Sequence, residues 1–162
     1  MSIAGPQAFY NTLDKIKNEL LLDPNVNTVT SGDLTEIDLN KITIFPLSHI
    51  IVNNASLQGN VIVFNLSILA MDVVWQNKDQ LDGYMNLDET FNGLDNEHDV
   101  MNTQLAVLNK LNEVLRRGSL NTDLFQLEGQ PTCEPFFDRF ENKIAGWTMT
   151  TSIVVANDFS KC

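Results

Sequence analysis

The chain has 162 residues, and a 43% hydrophobic share at this length is enough to bury about two-thirds of the unfolded surface, which excludes a disordered chain. Its 10 basic and 21 acidic residues give a formal net charge of −11, with no basic cluster larger than Arg116-Arg117. That balance excludes nucleic-acid binding by phosphate neutralisation and attraction to an anionic membrane, and the length fits one domain spanning residues 1–162.

Pro6 to Leu22 is predicted to be a helix: Pro6 suits a first turn, and Phe9, Leu13, Ile16 and Leu20 recur on one face. Asp23-Pro24-Asn25 stops it, and Val26 to Thr30 reads as a short strand closed by Ser31-Gly32-Asp33. Leu34 to Lys41 fits either a loop or a helical turn. Thr43 to Val52 is the next strand; Pro46 requires it to lie at an edge, to bulge or to begin after the proline. Asn53-Asn54 is read as the turn. Val61 to Trp75 is the clearest strand, with Ile62, Phe64, Leu66, Ile68 and Ala70 on a core face. Asn65 and Ser67 make the other face mixed. Those same polar residues, with Asp72, make the run too short and too polar to span a bilayer.

Gln76 to Asn96 is an acidic, flexible loop, long enough to suggest a partner-binding role. Glu97 to Arg117 is the second helix, buried along Met101, Leu105, Leu108, Leu111 and Leu115. Arg116 and Arg117 favour its C-terminal dipole, and Gly118 caps it. Asp123 to Leu127 reads as a short strand ended by Gly129, and Gly146 to Val155 as a longer one. Between them runs a Pro131–Lys143 segment rich in aromatics. The order of helix, up to three strands, helix and two strands predicts an α+β domain. It would have a mostly antiparallel sheet of four to five strands and both helices packed on one face.

Chemistry-bearing patterns are sparse. His49 and His98 stand outside any catalytic motif, and both read as structural or surface histidines. Cys133 and Cys162 are too few for a disulfide framework or a zinc site, and read as free thiols. The opening Met1–Pro6 segment lacks the basic and apolar regions of a secretory signal. Asp79, Asp82, Asp88, Glu89, Asp95, Glu97 and Asp99 crowd one region without the ligand order of a calcium loop, and no phosphate-binding glycine motif occurs. No cofactor, metal or catalytic residue is therefore expected. The segment Pro135-Phe136-Phe137-Asp138-Arg139-Phe140, followed by Trp147, combines residue types found at the centres of protein interfaces. In an extended chain Phe136 and Phe140 would turn to the core, leaving Phe137 and Arg139 for a subunit contact.

The runs Phe45–Val52 (FPLSHIIV), Gly59–Asp72 (GNVIVFNLSILAMD) and Pro135–Trp147 (PFFDRFENKIAGW) resemble the neck or tail-completion proteins of tailed bacteriophages of Bacteroidetes-type hosts. The order of elements is similar to the tail-terminator fold. The resemblance implies a virion protein, assembled in the host cytoplasm, that closes a sixfold or twelvefold ring at the head–tail junction or tail end. It would join portal-side and tail proteins around the DNA passage without catalysing a reaction. Such a ring closes through a heterologous contact. The expected contact residues are Phe136, Phe137, Arg139, Phe140 and Trp147, together with Asn53 and Asn54 near the strand tip. A lumen that does not grip DNA suits the acidic balance. The competing expectations are a monomeric protein- or ligand-binding module that uses the acidic loop, and a calcium-dependent or hydrolytic enzyme.

Overall fold

Helix periodicity at the start of the chain and over residues 97–117, and strand alternation between and after them, set the architecture. The computed structural model describes residues 6–33, 44–74, 97–117, 125–139 and 144–156. Two helices, α1 (Pro6–Leu21) and α2 (Glu97–Arg117), accompany strands β1 (Thr28–Ser31), β2 (Leu47–Leu57), β3 (Val61–Val73), β4 (Phe125–Arg139) and β5 (Ile144–Ala156). The strands form a single sheet in the order β1-β2-β3-β5-β4. Every neighbouring pair is antiparallel except β1 with β2. The fold class is therefore α+β, with the mostly antiparallel sheet that the element order predicted.

Both helices lie on one face. Ile16 and Leu20 of α1 join Val107, Leu108, Leu111 and Leu115 of α2 in a core with Ile50, Ile62, Phe64, Leu66, Ile68, Ala70, Met149, Ile153 and Val155 of the sheet. Leu66, Ile68 and Ile153 are wholly buried, each contributing about 1.5–3 kcal/mol of hydrophobic stabilisation. Trp147 pins the start of α2, its Nε1–H donating to the Met101 carbonyl at 2.9 Å. Arg116 pins the other end through a 2.8 Å bond from Nη2 to the Gly129 carbonyl.

The opposite face has two zones. Phe45, Leu47, Leu69, Met71, Val73, Phe136 and Ile144 form a second apolar cluster at one end. At the other end polar side chains link three strands: Ser152 Oγ donates to Asn65 Oδ1, Asn65 Nδ2 donates to Asn54 Oδ1, and Asn53 Nδ2 donates to Ser67 Oγ at 2.8 Å. The mixed polarity of that face thus resolves into an apolar half and a hydrogen-bonded half.

Three boundaries differ from the sequence reading. Asn53-Asn54 does not turn the chain: a bulge at Asn53 lets β2 continue to Leu57, and the turn is at Gln58–Asn60, with Gly59 at φ 74°. Gly129 does not end a strand either. At φ 72° it lies in a bulge of β4, which continues through Pro131 and Pro135 to Arg139. Prolines are tolerated there because β4 is an edge strand and its outer groups need no ladder partner. The aromatic segment is therefore strand as far as Arg139, rather than a connecting loop. Val26 precedes β1, buried in the turn after α1. Pro46 precedes β2, one of the placements its missing N–H allowed. Leu34–Lys41, the acidic Gln76–Asn96 segment, Gly118, Phe140 and Cys162 lie outside the described residues.

Candidate functional site

The edge where α1 meets β1 and β2 carries a cavity of about 750 Å³. Phe9, Tyr10, Leu13, Asp14 and Lys17 form the helical wall; Val29–Asp33 and Ile50–Val52 form the sheet wall. The cleft exists because β1 is only four residues long. Among the described residues β1 pairs with β2 only from Leu47 to Ile50, and no described strand pairs with the outer edge of β2 from Ile51 to Leu57.

The hydrogen-bond pattern fixes which backbone groups face outward on that edge. Gly32 donates to the Ile50 carbonyl at 3.1 Å, so Ile50 and, two residues on, Val52 turn toward the β1 side. At the turn Gln58 donates inward to the Val61 carbonyl at 3.0 Å, so Leu57 and Ala55 turn outward. Ala55 and Leu57 stand opposite Phe64 and Ile62, both in the helix-side core, and therefore share the helix face. Leu57 is 76% exposed, and Phe9 and Tyr10 expose 38% and 66% above the same edge. Phe9 packs edge-on against Phe64, with ring centroids 6.0 Å apart, and against Tyr10 at 5.8 Å. From Ile42 to Met71 the sequence holds no Asp, Glu, Lys or Arg. This open edge lacks the lysines and prolines by which edge strands commonly resist pairing.

His49 joins the short strand to the sheet below the cleft. It is fully buried; its Nε2 donates to the Gly32 carbonyl at 2.9 Å, and its Nδ1 lies 2.7 Å from Thr30 Oγ1. A carbonyl only accepts, so the proton is on Nε2 and Nδ1 accepts from the threonine. Burial lowers the pKa of the ring below its ordinary value, opposed by the Gly32 bond and the nearby Asp33 carboxylate. The structural role expected of His49 is what this geometry describes. His98 is exposed at the start of α2.

Two further groups are displaced. Burial raises the pKa of Asp72, offset in part by a 2.7 Å bond from the Val73 N–H. Burial also raises that of the free thiol of Cys133, which keeps it protonated at neutral pH. His49 pairs with Leu69, on the face away from the helices, whereas Asp72 lies on the face of Ala70, beneath them. The sheet thus separates the two groups. Among the described residues no three His, Cys, Asp or Glu side chains gather to hold a metal ion. Likewise, none of the described helices is long and apolar enough to cross a membrane. The acidic residues weighed for calcium before Glu97 lie outside the described residues.

The predicted contact residues divide. Phe136 is buried in the second apolar cluster and Phe137 is 47% exposed, the alternation an extended chain predicts. Arg139 ends β4 opposite Ile144, but its side chain falls outside the description, as does Phe140 altogether. Trp147 is a half-buried anchor of α2, its ring N–H already committed to Met101. Asn53 and Asn54 are exposed, yet their amides belong to the polar ladder of the sheet and not to a hairpin tip. Leu57 was not singled out in the sequence, although its place among charge-free residues next to Gln58-Gly59-Asn60 is visible there. A second groove of about 440 Å³ runs between α2 and β4, lined by Leu105, Leu108, Pro131, Cys133 and Met149 among others.

Compared with known proteins, the sequence matches no protein-family model and no curated protein.

Proposed function

We propose that the chain is a structural virion protein, one subunit of a ring at the head–tail junction or tail end of a tailed bacteriophage. It would join portal-side proteins to the tail around the DNA passage. The observation that carries this reading is that, among the described residues, the sheet has two unpaired margins: β2 beyond Ile50 at one side, and at the other the 15-residue edge strand β4 with Phe137 exposed beside buried Phe136. Two dissimilar open edges on one sheet are what a heterologous, ring-closing contact uses. Of the segments that carry the resemblance, Pro135–Trp147 runs from the end of edge strand β4 into β5, Phe45–Val52 enters β2, and Gly59–Asp72 covers the turn and the central strand β3.

The test is assembly. Purified chain should elute as a multiple of its monomer mass and show rings in negative-stain electron microscopy, and Phe137→Ala with Arg139→Ala should weaken the rings while leaving the monomer's circular dichroism intact. Assemblies indifferent to that double change would remove β4 from the contact. The cleft beside α1 favours a second reading, a monomeric binding module, since its volume lies in the range of ligand pockets. A monodisperse monomer at high concentration, with no ring visible, decides for that reading.

A further inference from the structure

We infer that the edge of β2 beyond Ile50, which no described strand pairs with, pairs with the same edge of a second copy, antiparallel about a two-fold axis at Ala55. Each copy's Leu57 would then enter the other's α1–β1 cleft. A two-fold contact through β2 occupies the edge that a β2-to-β4 contact would use, so the inference does not rest on the ring reading, and a ring built from such dimers would close through β4 and another surface.

Register carries the first part of the case. The groups facing outward are those of Val52, Ala55 and Leu57, and the bulge at Asn53 absorbs one residue between the first two. Counting the bulge as a single step, Ala55 is midway between Val52 and Leu57. An antiparallel copy therefore places Ala55 against Ala55 and Val52 against Leu57, so every outward N–H and C=O meets an outward partner. The smallest side chain of the three is at the axis, where two copies approach most closely.

Shape carries the second part. Residues opposite each other in an antiparallel pair share a face. Leu57 of one copy thus stands on the helix side next to Val52 of the other, and Val52 is a wall of the cleft with Ile50, Leu13 and Tyr10. Leu57 has the largest fractional exposure among the exposed large hydrophobic side chains, and the partner edge offers it an apolar recess. Knob and recess lie on the same edge, so one pairing fills both recesses.

Charge decides for a second copy over a foreign strand. Two molecules of net charge −11 repel, and their approach is least opposed where neither has charge. The stretch from Ile42 to Met71 meets that condition from both sides at once. An acidic molecule recruiting a foreign strand would be served by a basic partner, and β2 itself has no carboxylate to receive one, the cleft's Asp14 and Asp33 belonging to α1 and to the residues after β1.

The test uses the full chain with Cys133 and Cys162 replaced by serine. Ala55→Cys should form a disulfide-linked dimer on mild oxidation, because opposed Cα atoms in a hydrogen-bonded antiparallel pair lie about 5.5 Å apart, within disulfide reach. Leu57→Lys, a change at an exposed position, should shift the monomer–dimer midpoint in sedimentation velocity by at least tenfold with unchanged circular dichroism. The Phe137→Ala and Arg139→Ala pair should leave this dimer in place, which separates the contact from ring closure. A monomer throughout at 100 µM on the scale of about a micromolar-to-millimolar contact, or a dimer that survives Leu57→Lys and does not cross-link through Ala55→Cys, overturns the inference.

Discussion

Replacing Gly146 by Ala tests how tightly β3 and β5 are joined. A Cβ built on Gly146 would lie 2.0 Å from the Ala70 carbonyl oxygen and 2.8 Å from Met71 Cα, both backbone atoms of the neighbouring strand. An ordinary carbon–oxygen approach is about 3.3 Å, so β5 must retreat by roughly 1 Å at this point. Ladder bonds of about 2.9 Å then stretch to nearly 4 Å, outside bonding range. Two or three such bonds, each worth about 1 kcal/mol net, put the cost at about 2–3 kcal/mol. Against this, Ala restricts the unfolded chain and returns about 0.4–1 kcal/mol. The clash wins, and the variant should lose about 1–2.5 kcal/mol of a total of roughly 5–15 kcal/mol. Urea unfolding followed by circular dichroism, run at two protein concentrations to separate fold from assembly, measures it. Gly129→Ala is the control: its Cβ meets nothing within 4 Å, but its φ of 72° makes the substitution strained by about 1–2 kcal/mol. A loss at Gly146 no greater than that at Gly129 would refute the steric reasoning.

Two further outcomes follow from buried polar groups. His49 is neutral in the fold with its pKa held below 6.5, so the unfolded chain takes up the proton first. The contribution is complete above about pH 6.5 and declines as pH falls, at no more than about 1.4 kcal/mol per unit. Urea midpoints measured from pH 8 to 5.5 should show that slope, and His49→Gln, less stable at pH 8, should lack it; an equal slope in both proteins would assign the effect elsewhere. Gln104 is 1% exposed on α2 with neither amide atom hydrogen-bonded. Gln104→Met keeps the length and removes the unpaired group, so thermal unfolding should report a gain of about 1–2 kcal/mol. Destabilisation would mean that the amide has a partner.

Strong local signals survived into the fold. The i, i+3, i+4 recurrence in α1 and α2 and the alternation in β3 and β5 are set by side chains that must share one buried face, and these elements lie within two residues of where the pattern puts them. Asn53, Gly129, Pro131 and Pro135 misled because each is read in sequence as a stop. In the sheet Asn53 and Gly129 become bulges and the prolines lie on an edge, outcomes that depend on which strand lies alongside.

The candidate site shows the same division. The sequence already determined that Phe136 and Phe137 point opposite ways in an extended chain, and that no charge interrupts Ile42 to Met71. Only the tertiary structure decided that β1 stops at Ser31 opposite Ile50, so that among the described residues no strand pairs with β2 beneath Phe9 and Tyr10. Only it placed His49 as the link between Thr30 and Gly32. Periodicity is a property of one segment and can be read along it. An open edge or a cleft is a property of what lies beside a segment, which residues distant in the chain supply.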